Sequence, residues 1–415
     1  MDTFDLFSQL ARGSHRILLE SAEKRKGVGE HSYIFWDPVA IFDSRKIRGN
    51  PFRALEDFFA KHKSKKKFGI VGYIGYEAAR FLENLPNGKH DPDLNDIPDM
   101  YFIVPGQMRT LTLPSPSWRE REKGVSVPSP AARERGRGEG DIRISNLRSS
   151  ISRHGFESMV RRAKEYIAAG DIYQANLSQR FSFGYEGDPA ELYRRLRKIN
   201  PSPFSAFLDF GEFQIVSSSP ERLIRLRGNR CDTRPIAGTR PRGKNLRQDG
   251  KFSRELLLSE KEKAEHLMLL DLERNDLGRV CDFRSVRVDE FMTLEKYSHV
   301  IHIVSNVTGR LSKRKNSFDV LRALFPGGTI TGCPKIRSME IIHELEPGRR
   351  SIYTGSIGYI GFDGSMDFNI VIRTILCRRG KGYIQVGAGI VHDSVPAKEY
   401  EETLHKAQAM FEALK

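Results

Sequence analysis

The stretch Pro235-Ile236-Ala237-Gly238-Thr239-Arg240-Pro241-Arg242-Gly243 joins a Gly-Thr loop to two arginines and is the most informative part of the chain. Two Glu-x-x-Glu pairs follow it, Glu262 with Glu265 and Glu399 with Glu402. A spacing of three places both carboxylates of a pair on one helix face. One such pair alone is more typical of a solvated helix face. Together the loop and the carboxylates predict a site for an anionic substrate held through a divalent metal, for which Mg²⁺ is suited.

The composition indicates a large globular protein. A chain of 415 residues can bury a large core, and 39% of it is hydrophobic while 29% is charged. No stretch reaches the 18 or more apolar residues that indicate a membrane helix, and residues 1–5 lack the features of a secretion signal. Four cysteines without metal-ligand spacing are typical of reduced thiols in the cytoplasm. We therefore expect a cytoplasmic protein without a membrane partner. The cysteines are Cys231, Cys281, Cys333 and Cys377.

The formal net charge of +15 raises the alternative of a nucleic-acid-binding protein. The basic residues are spread along the chain, however, and no recognition motif accompanies them. We therefore expect no nucleic-acid partner. A pocket for a dicarboxylate substrate accounts for a few arginines, and the sequence gives no reason for the rest of the positive charge.

A low-complexity segment divides the chain. Residues 1–113 form an N-terminal region of alternating strands and helices. Residues 114–140 repeat Pro, Ser, Gly, Arg and Glu with almost nothing apolar to bury, so a disordered insertion is predicted. A basic interaction arm is the alternative, which the near balance of acidic and basic residues disfavours. The core covers residues 151–415, and its periodicity indicates mixed α/β structure. Apolar spacing predicts helices over residues 256–272, 335–345 and 396–414.

Several motifs in this core resemble the chorismate-utilising enzymes, whose amine-forming members are component I of anthranilate synthase and of aminodeoxychorismate synthase. The resemblance implies an α+β fold in which two stacked antiparallel β-sheets are flanked by helices, with the active site in the cleft between the sheets. The matching motifs, besides the stretch 235–243, are Gly170-Asp171-Ile172-Tyr173-Gln174-Ala175-Asn176, Ser218-Ser219-Pro220-Glu221-Arg222, Ser259-Glu260-Lys261-Glu262-Lys263-Ala264-Glu265, Asp271-Leu272-Glu273-Arg274-Asn275-Asp276, Gly328-Thr329-Ile330-Thr331-Gly332, Gly387-Ala388-Gly389 and Glu399-Tyr400-Glu401-Glu402.

The resemblance also assigns catalytic roles. The C4 hydroxyl of chorismate is a poor leaving group that needs metal and acid assistance. Glu221 matches the general acid, which requires a pKa raised by burial. His302 matches a histidine near the leaving hydroxyl, although a histidine in an apolar strand is more often a core residue. Thr239 matches a hydroxyl of the ring pocket. Lys406 matches a lysine near the ring carboxylate, although a helix ion pair with Glu402 is the alternative.

Metal and substrate contacts follow from the same resemblance. The four paired glutamates would bind Mg²⁺, with Glu265 and Glu402 in direct contact and Glu262 and Glu399 acting largely through water. Arginine suits a bidentate clamp on a carboxylate, and glycine lets a substrate approach backbone N–H groups. The expected substrate-binding residues are Gln174, Ala237, Gly238, Thr329, Tyr353, Arg373, Gly387 and Gly389.

Two positions separate the branches of this family. Gln174 stands where water-adding members carry a lysine base, so isochorismate and salicylate synthesis are disfavoured. Ala237 stands where many aminodeoxychorismate synthases carry a covalent lysine nucleophile, and anthranilate synthases carry alanine there. Residues 173–179, 203–207 and 367–370 instead resemble aminodeoxychorismate synthases. We therefore expect amination of chorismate at C4, with anthranilate synthesis as the alternative.

Partners and regulation complete the expectations. Residues 18–21 and 200–203 resemble segments that line a tryptophan site in both amine-forming branches. No cysteine lies in a Gly-x-Cys-x-Gly turn, so ammonia is expected from a separate glutamine amidotransferase subunit or from solution. An inactive tryptophan-binding relative is disfavoured, because Ala237 is the one unfilled catalytic position. The possible tryptophan site consists of Glu20, Ser21, Pro203 and Phe204.

Overall fold

The computed structural model of the protein describes residues 2–22, 31–65, 68–86, 88–112, 142–243, 245–296 and 300–415. The insertion predicted for residues 114–140 lies outside this part. The helices are α1 (Thr3–Leu10), α2 (Pro51–His62), α3 (Arg153–Ala168), α4 (Pro189–Ile199), α5 (Leu246–Leu258), α6 (Glu260–Gly278), α7 (Ser317–Leu324), α8 (Lys335–Leu345) and α9 (Pro396–Ala413). The strands are β1 (Arg16–Glu20), β2 (His31–Asp43), β3 (Gly69–Ile74), β4 (Met100–Thr112), β5 (Arg143–Ser149), β6 (Gln174–Glu186), β7 (Phe204–Asp209), β8 (Gln214–Ser219), β9 (Arg222–Arg227), β10 (Arg230–Arg234), β11 (Ile236–Pro241), β12 (Arg287–Lys296), β13 (Val300–Arg310), β14 (Gly332–Cys333), β15 (Ser356–Gly361), β16 (Met366–Asn369), β17 (Thr374–Arg378) and β18 (Lys381–Ile390).

Antiparallel pairing joins the described strands into one hydrogen-bonded network. From one edge the order is β5-β6-β18-β17-β8-β7-β1-β2-β4-β3-β15-β16-β9-β10-β13-β12, while β11 also pairs with β13 and β14 with β6. The long strands β2 and β4 connect the two halves, and their register shifts between Pro38 and Ala40. The N-terminal strands β2 and β4 therefore connect the two halves of the sheet and do not form a separate layer.

Side chains alternate between the two faces of each strand. Each half of the sheet therefore packs one face against the other half and the opposite face against helices. Ile17 of β1 and Val71 of β3 belong to one buried cluster that lies between the halves. Their neighbours point the other way: Leu18 packs with α1, α4 and α9, and Ile70 packs with α2, α6 and α7. The predicted α+β fold, with two stacked antiparallel layers flanked by helices, is confirmed. The structure adds that both layers belong to one folded sheet.

The prediction of a single helix over residues 256–272 is wrong, because Ser259 separates helix α5 from helix α6. Ser259 has extended backbone angles, and its hydroxyl accepts a hydrogen bond from the Glu262 backbone N–H at 3.3 Å. A serine in this position is a typical N-cap. The break starts α6 at Glu260, which places the first glutamate pair in its opening turns. The predicted bounds of α8 are confirmed, and α9 ends one residue earlier than predicted.

None of the helices in the described part of the chain has the length and apolar character needed to cross a membrane.

Candidate active site

Glu221 lies between β8 and β9 and is 5% exposed. One of its carboxyl oxygens lies 3.4 Å from the backbone nitrogen of Ile236, and the Thr329 hydroxyl lies beside it. Burial raises the pKa of Glu221 to about 7, although Thr329, Ile236 and the charges of Arg373 and Lys406 act to lower it. A carboxyl group that keeps its proton near neutral pH can act as a general acid.

Thr239 and His302 meet where β11 pairs with β13. The register of these strands shifts between Ala237 and Thr239, and Gly238 takes a φ of +75° that favours glycine. The shift brings the Thr239 hydroxyl to 2.8 Å from His302 Nδ1. Gly238 also gives room to a metal-site candidate, since an added Cβ atom would lie 2.9 Å from Glu262 Oε2.

Strands β6 and β18 form one wall of the candidate site, which we call the β6 wall. Two glycines of β18 let side chains approach its backbone. An added Cβ atom on Gly389 would lie 2.5 Å from Gln174 Nε2 and 3.6 Å from Glu265 Oε1. On Gly387 it would lie 2.5 Å from Asn176 Oδ1. Asn176 was missed as a site residue by sequence reasoning. It follows Gln174 by two positions, so the strand period places both side chains on the same face.

Two buried acceptors mark this wall as a place for a ligand. Gln174 Oε1 and Asn176 Oδ1 have no hydrogen-bond partner among the described residues. Their residues are 2% and 7% exposed, so neither oxygen is well hydrated. Leaving a buried acceptor unsatisfied costs free energy. A ligand that presents N–H or O–H groups to β6 would remove this cost.

The four paired glutamates come from the opening turns of α6 and α9. Burial raises the pKa of Glu265 to about 7, with further contributions from the charges of Glu262 and Glu402. Burial also raises the pKa of Glu399, and the charge of Glu402 adds to the shift. These mutual effects show that carboxylates of the two helices lie near each other. Their combined negative charge fits a divalent cation.

Basic side chains already neutralise part of this cluster. Arg240 Nη1 lies 2.9 Å from Glu262 Oε1, and Lys406 Nζ lies 2.7 Å from Glu402 Oε1. Lys406 also donates to the backbone oxygen of Gly387 at 3.0 Å, so it makes the expected helix ion pair and reaches the β18 wall as well. Within the described residues, no three His, Cys, Asp or Glu side chains are close enough to form a metal cage. Mg²⁺ needs only one or two carboxylates beside water and substrate.

Comparison with known proteins identifies the family. A model of chorismate binding enzymes matches residues 14–412. The chain belongs to the chorismate binding enzyme family. It is 41% identical to aminodeoxychorismate synthase component 1 of Bacillus subtilis (strain 168), over 98% of this chain and 93% of that protein. It is also 41% identical to anthranilate synthase component 1 of Aquifex aeolicus (strain VF5), over 97% of this chain and 90% of that protein. Overall similarity therefore confirms the family and does not separate these two branches.

A solved structure confirms the fold of this chorismate binding enzyme. Anthranilate synthase component I from Streptococcus pneumoniae TIGR4 matches it with a TM-score of 0.77 at 32% identity, over 99% of this chain and 97% of that chain. The fold that the motifs implied is thus the fold of the family.

A buried ion pair supports the β6 wall of this family member from behind. The Arg350 guanidinium binds both carboxylate oxygens of Glu346, at 2.9 and 2.6 Å. It also donates to the backbone oxygens of Asn176 at 2.5 Å and Ile330 at 3.0 Å. Glu346 in turn accepts from the Ser178 backbone N–H at 2.8 Å. Arg350 therefore ties α8 to β6 and to the turn that carries Thr329.

The residues expected to hold the substrate carboxylate flank the same wall. Tyr353 is 7% exposed, and its hydroxyl oxygen would lie 2.8 Å from a Cβ atom added to Gly387. Arg373 has a φ of +51° and lies near enough to Glu221 to lower its pKa. Thr329, Arg373 and Lys406 are thus near Glu221, as expected for residues of one site.

The candidate tryptophan segments also meet, through the pairing of β1 with β7. The Glu20 carboxylate is buried and accepts hydrogen bonds from the Tyr193 hydroxyl at 2.7 Å and Arg197 Nε at 2.8 Å. The Ser21 backbone N–H donates to Ser32 Oγ at 3.1 Å. Phe204 begins β7, one residue after Pro203, and the Arg222 guanidinium lies 5.2 Å from the centroid of its ring. A tryptophan ligand here stays a prediction.

Proposed function

We propose that the protein aminates chorismate at C4, the activity named in its Bacillus subtilis relative. The observation that carries amination is the Gln174 amide in the β6 wall, whose carbonyl oxygen has no hydrogen-bond partner within the described part of the chain. An amide cannot deprotonate water, whereas ammonia is already nucleophilic and needs no base. An amide oxygen also accepts an N–H hydrogen bond. Gln174 therefore favours a nitrogen nucleophile over water because it supplies no base, and not because of its acceptor oxygen, which water could also satisfy.

Amination at C4 is favoured by the motifs that surround the cleft. Residues 173–179 form the β6 wall with Gln174 and Asn176, and this stretch resembles aminodeoxychorismate synthases rather than anthranilate synthases. The reaction replaces the C4 hydroxyl with an amino group and releases water. Glu221 supplies the proton to the departing hydroxyl because burial keeps it protonated. The Thr239–His302 pair orients the same hydroxyl in the ring pocket.

The remaining residues hold the two carboxylates of chorismate. Arg373 and Tyr353, with the backbone of Gly387, bind the enolpyruvyl carboxylate, and Lys406 lies near the ring carboxylate. Glu265 and Glu402 would hold Mg²⁺ directly, and Glu262 and Glu399 through water. Mg²⁺ held there would supply positive charge to assist departure of the hydroxyl.

Anthranilate synthesis is the second candidate, and Ala237 is the observation that favours it. Ala237 is 7% exposed and carries no nucleophilic atom. Alanine cannot form the covalent adduct that a lysine forms at this position. Direct attack of ammonia at C2 followed by loss of pyruvate would give anthranilate without such an adduct.

The ammonia source is proposed to be a separate glutamine amidotransferase subunit. The word component in the names of both relatives supports a second subunit. Free ammonium should replace that subunit in the test tube. The composition predicts a cytoplasmic setting for the enzyme in the cell. Residues 151–415 are proposed as the catalytic core, with residues 1–113 completing the sheet.

Ammonium dependence tests the proposal. Purified protein is incubated with chorismate and Mg²⁺, with and without ammonium, and chorismate consumption is followed by chromatography. We expect consumption only with ammonium, and ¹⁵N-ammonium should label the product. Conversion to isochorismate without ammonium would contradict amination.

A further inference from the structure

Two cysteines outside the candidate site, Cys231 and Cys281, lie beside the same residue, Gly309 of β13. Cys231 of β10 stands opposite Gly309 of β13, and Cys281 follows α6 and pairs with Leu311 through an isolated bridge. A Cβ atom added to Gly309 would lie 2.5 Å from Cys281 Sγ. The sulfur of Cys281 thus occupies the place of the missing side chain of Gly309. Residues directly opposite in an antiparallel pair have Cβ atoms about 5 Å apart, so this place adjoins Cys231.

The two thiols interact. A hydrogen bond from Cys231 lowers the pKa of Cys281, and the same bond, with burial, raises the pKa of Cys231. Cys281 is half-buried whereas Cys231 is fully buried. Burial raises the pKa of the other two cysteines, Cys333 and Cys377. Since the thiolate is the reactive form, Cys281 is the most reactive of the four.

We propose that Cys231 and Cys281 form an oxidation site, at which a peroxide converts the two thiols to a disulfide. The Cys281 thiolate attacks one peroxide oxygen, which breaks the O–O bond and leaves a sulfenic acid and hydroxide. The Cys231 sulfur then attacks the Cys281 sulfur, its proton leaves with the hydroxyl group as water, and the S–S bond forms. The two sulfurs lose two electrons in all, and the peroxide gains them.

The bond would enclose part of the candidate site. Residues 232–280 include β11, α5 and α6, which carry Thr239, Glu262 and Glu265. A cross-link around this segment limits the conformations of the unfolded chain. The oxidised protein should therefore resist thermal unfolding better than the reduced protein. Neither cysteine is among the residues assigned to catalysis, substrate or metal, so we expect the activity of the folded enzyme to remain.

Mass spectrometry tests the proposal on the full-length protein treated with dilute hydrogen peroxide. The intact mass should fall by about 2 Da, as expected for loss of two hydrogens. Thiol titration should fall from four to two, and digestion should yield a peptide pair joined through Cys231 and Cys281. The melting temperature should rise by about 4 °C. Dithiothreitol should reverse all of these changes.

Serine variants identify the residues. Cys281→Ser should abolish the mass loss and the thermal shift, whereas Cys333→Ser should retain both. Mapping of the natural protein keeps the test decisive if Cys231→Ser fails to fold. Four free thiols after treatment, or a disulfide that includes Cys333 or Cys377, would overturn the proposal.

Discussion

Gly387 and Asn176 lie so close across β18 and β6 that a Cβ atom on Gly387 would stand 2.5 Å from Asn176 Oδ1. Contacts this short force neighbouring atoms to move. The absence of a side chain on Gly387 therefore gives the wall its shape. The cleft is built on backbone proximity as much as on side-chain chemistry.

In a Gly387→Ala variant, the added methyl group should collide with Asn176 and distort this wall. We expect kcat/KM for chorismate to fall by about 100-fold, since small misplacements of binding groups are costly. Steady-state kinetics measures the loss. Gly278→Ala is the matched control, because an added Cβ atom there meets nothing within 4 Å. Equal activity of the Gly387→Ala variant and the control would show that the wall does not touch the substrate.

Glu221 predicts the pH dependence of activity. Its pKa of about 7 means that the proton needed for the leaving hydroxyl is lost as pH rises through neutrality. We expect kcat/KM to decline above pH 7 with one apparent pKa, and Glu221→Gln to lower kcat by about 1,000-fold. A pH-rate profile from pH 5.5 to 9 measures the decline. An unchanged alkaline limb in a still active Glu221→Gln variant would assign the proton to another group.

The same group predicts a change in stability. The folded state holds a proton on Glu221 that the unfolded chain releases above its ordinary pKa of 4.5. Its contribution to the free energy of unfolding is therefore complete below pH 4.5 and is lost as pH rises towards 7. Glu221→Gln removes this dependence, so at pH 8 the variant should be more stable than the natural protein by roughly 3 kcal/mol. Urea unfolding at pH 4.5 and 8 tests the sign.

Substitution of Arg350, which supports the β6 wall from the side opposite the site, should lower activity. Arg350→Lys keeps the charge but cannot make the same set of hydrogen bonds to Glu346, Asn176 and Ile330. We expect kcat/KM to fall by about 30-fold because Gln174 and Asn176 lose their position. Arg378→Lys, at another buried arginine that binds Asp96 at 2.7 Å, is the control. A lower melting temperature of Arg350→Lys with an activity equal to that of the control would limit Arg350 to stability.

The glutamates predict a metal requirement. Glu265→Gln and Glu402→Gln should each reduce Mg²⁺-dependent activity by about 100-fold or more, because a neutral amide is a poorer ligand for a hard cation. Glu401→Gln changes a half-buried neighbour that pairs with Arg153, and it should remain active. Kinetics over a range of Mg²⁺ concentrations measures the effect. Full activity in the presence of a chelator would sink the metal assignment.

Local sequence signals predicted much of the site. Glu262, Glu265, Glu399 and Glu402 follow a spacing that a helix places on one face, and α6 and α9 do carry them. The break before α6 was missed although Ser259 with Glu262 is a capping signal. Helical spacing continues across the break, and periodicity alone cannot register it.

Long-range relationships were beyond the sequence. Motifs implied stacked layers, but the folding of one sheet through β2 and β4 depends on pairings between strands far apart in the chain. Asn176 was passed over because a single asparagine in a strand has no distinctive pattern. Its role emerges only from the short distance to Gly387 and the absence of a partner for Oδ1 among described residues.

Product identity tests the central claim most directly. The protein is incubated with chorismate, ammonium and Mg²⁺, with and without the lyase that converts aminodeoxychorismate to 4-aminobenzoate, and intact mass is recorded during turnover. We predict 4-aminobenzoate only with the lyase, and no covalent adduct on residues 235–243, because Ala237 has no nucleophilic atom. Anthranilate as the sole product, formed without the lyase, would contradict amination at C4.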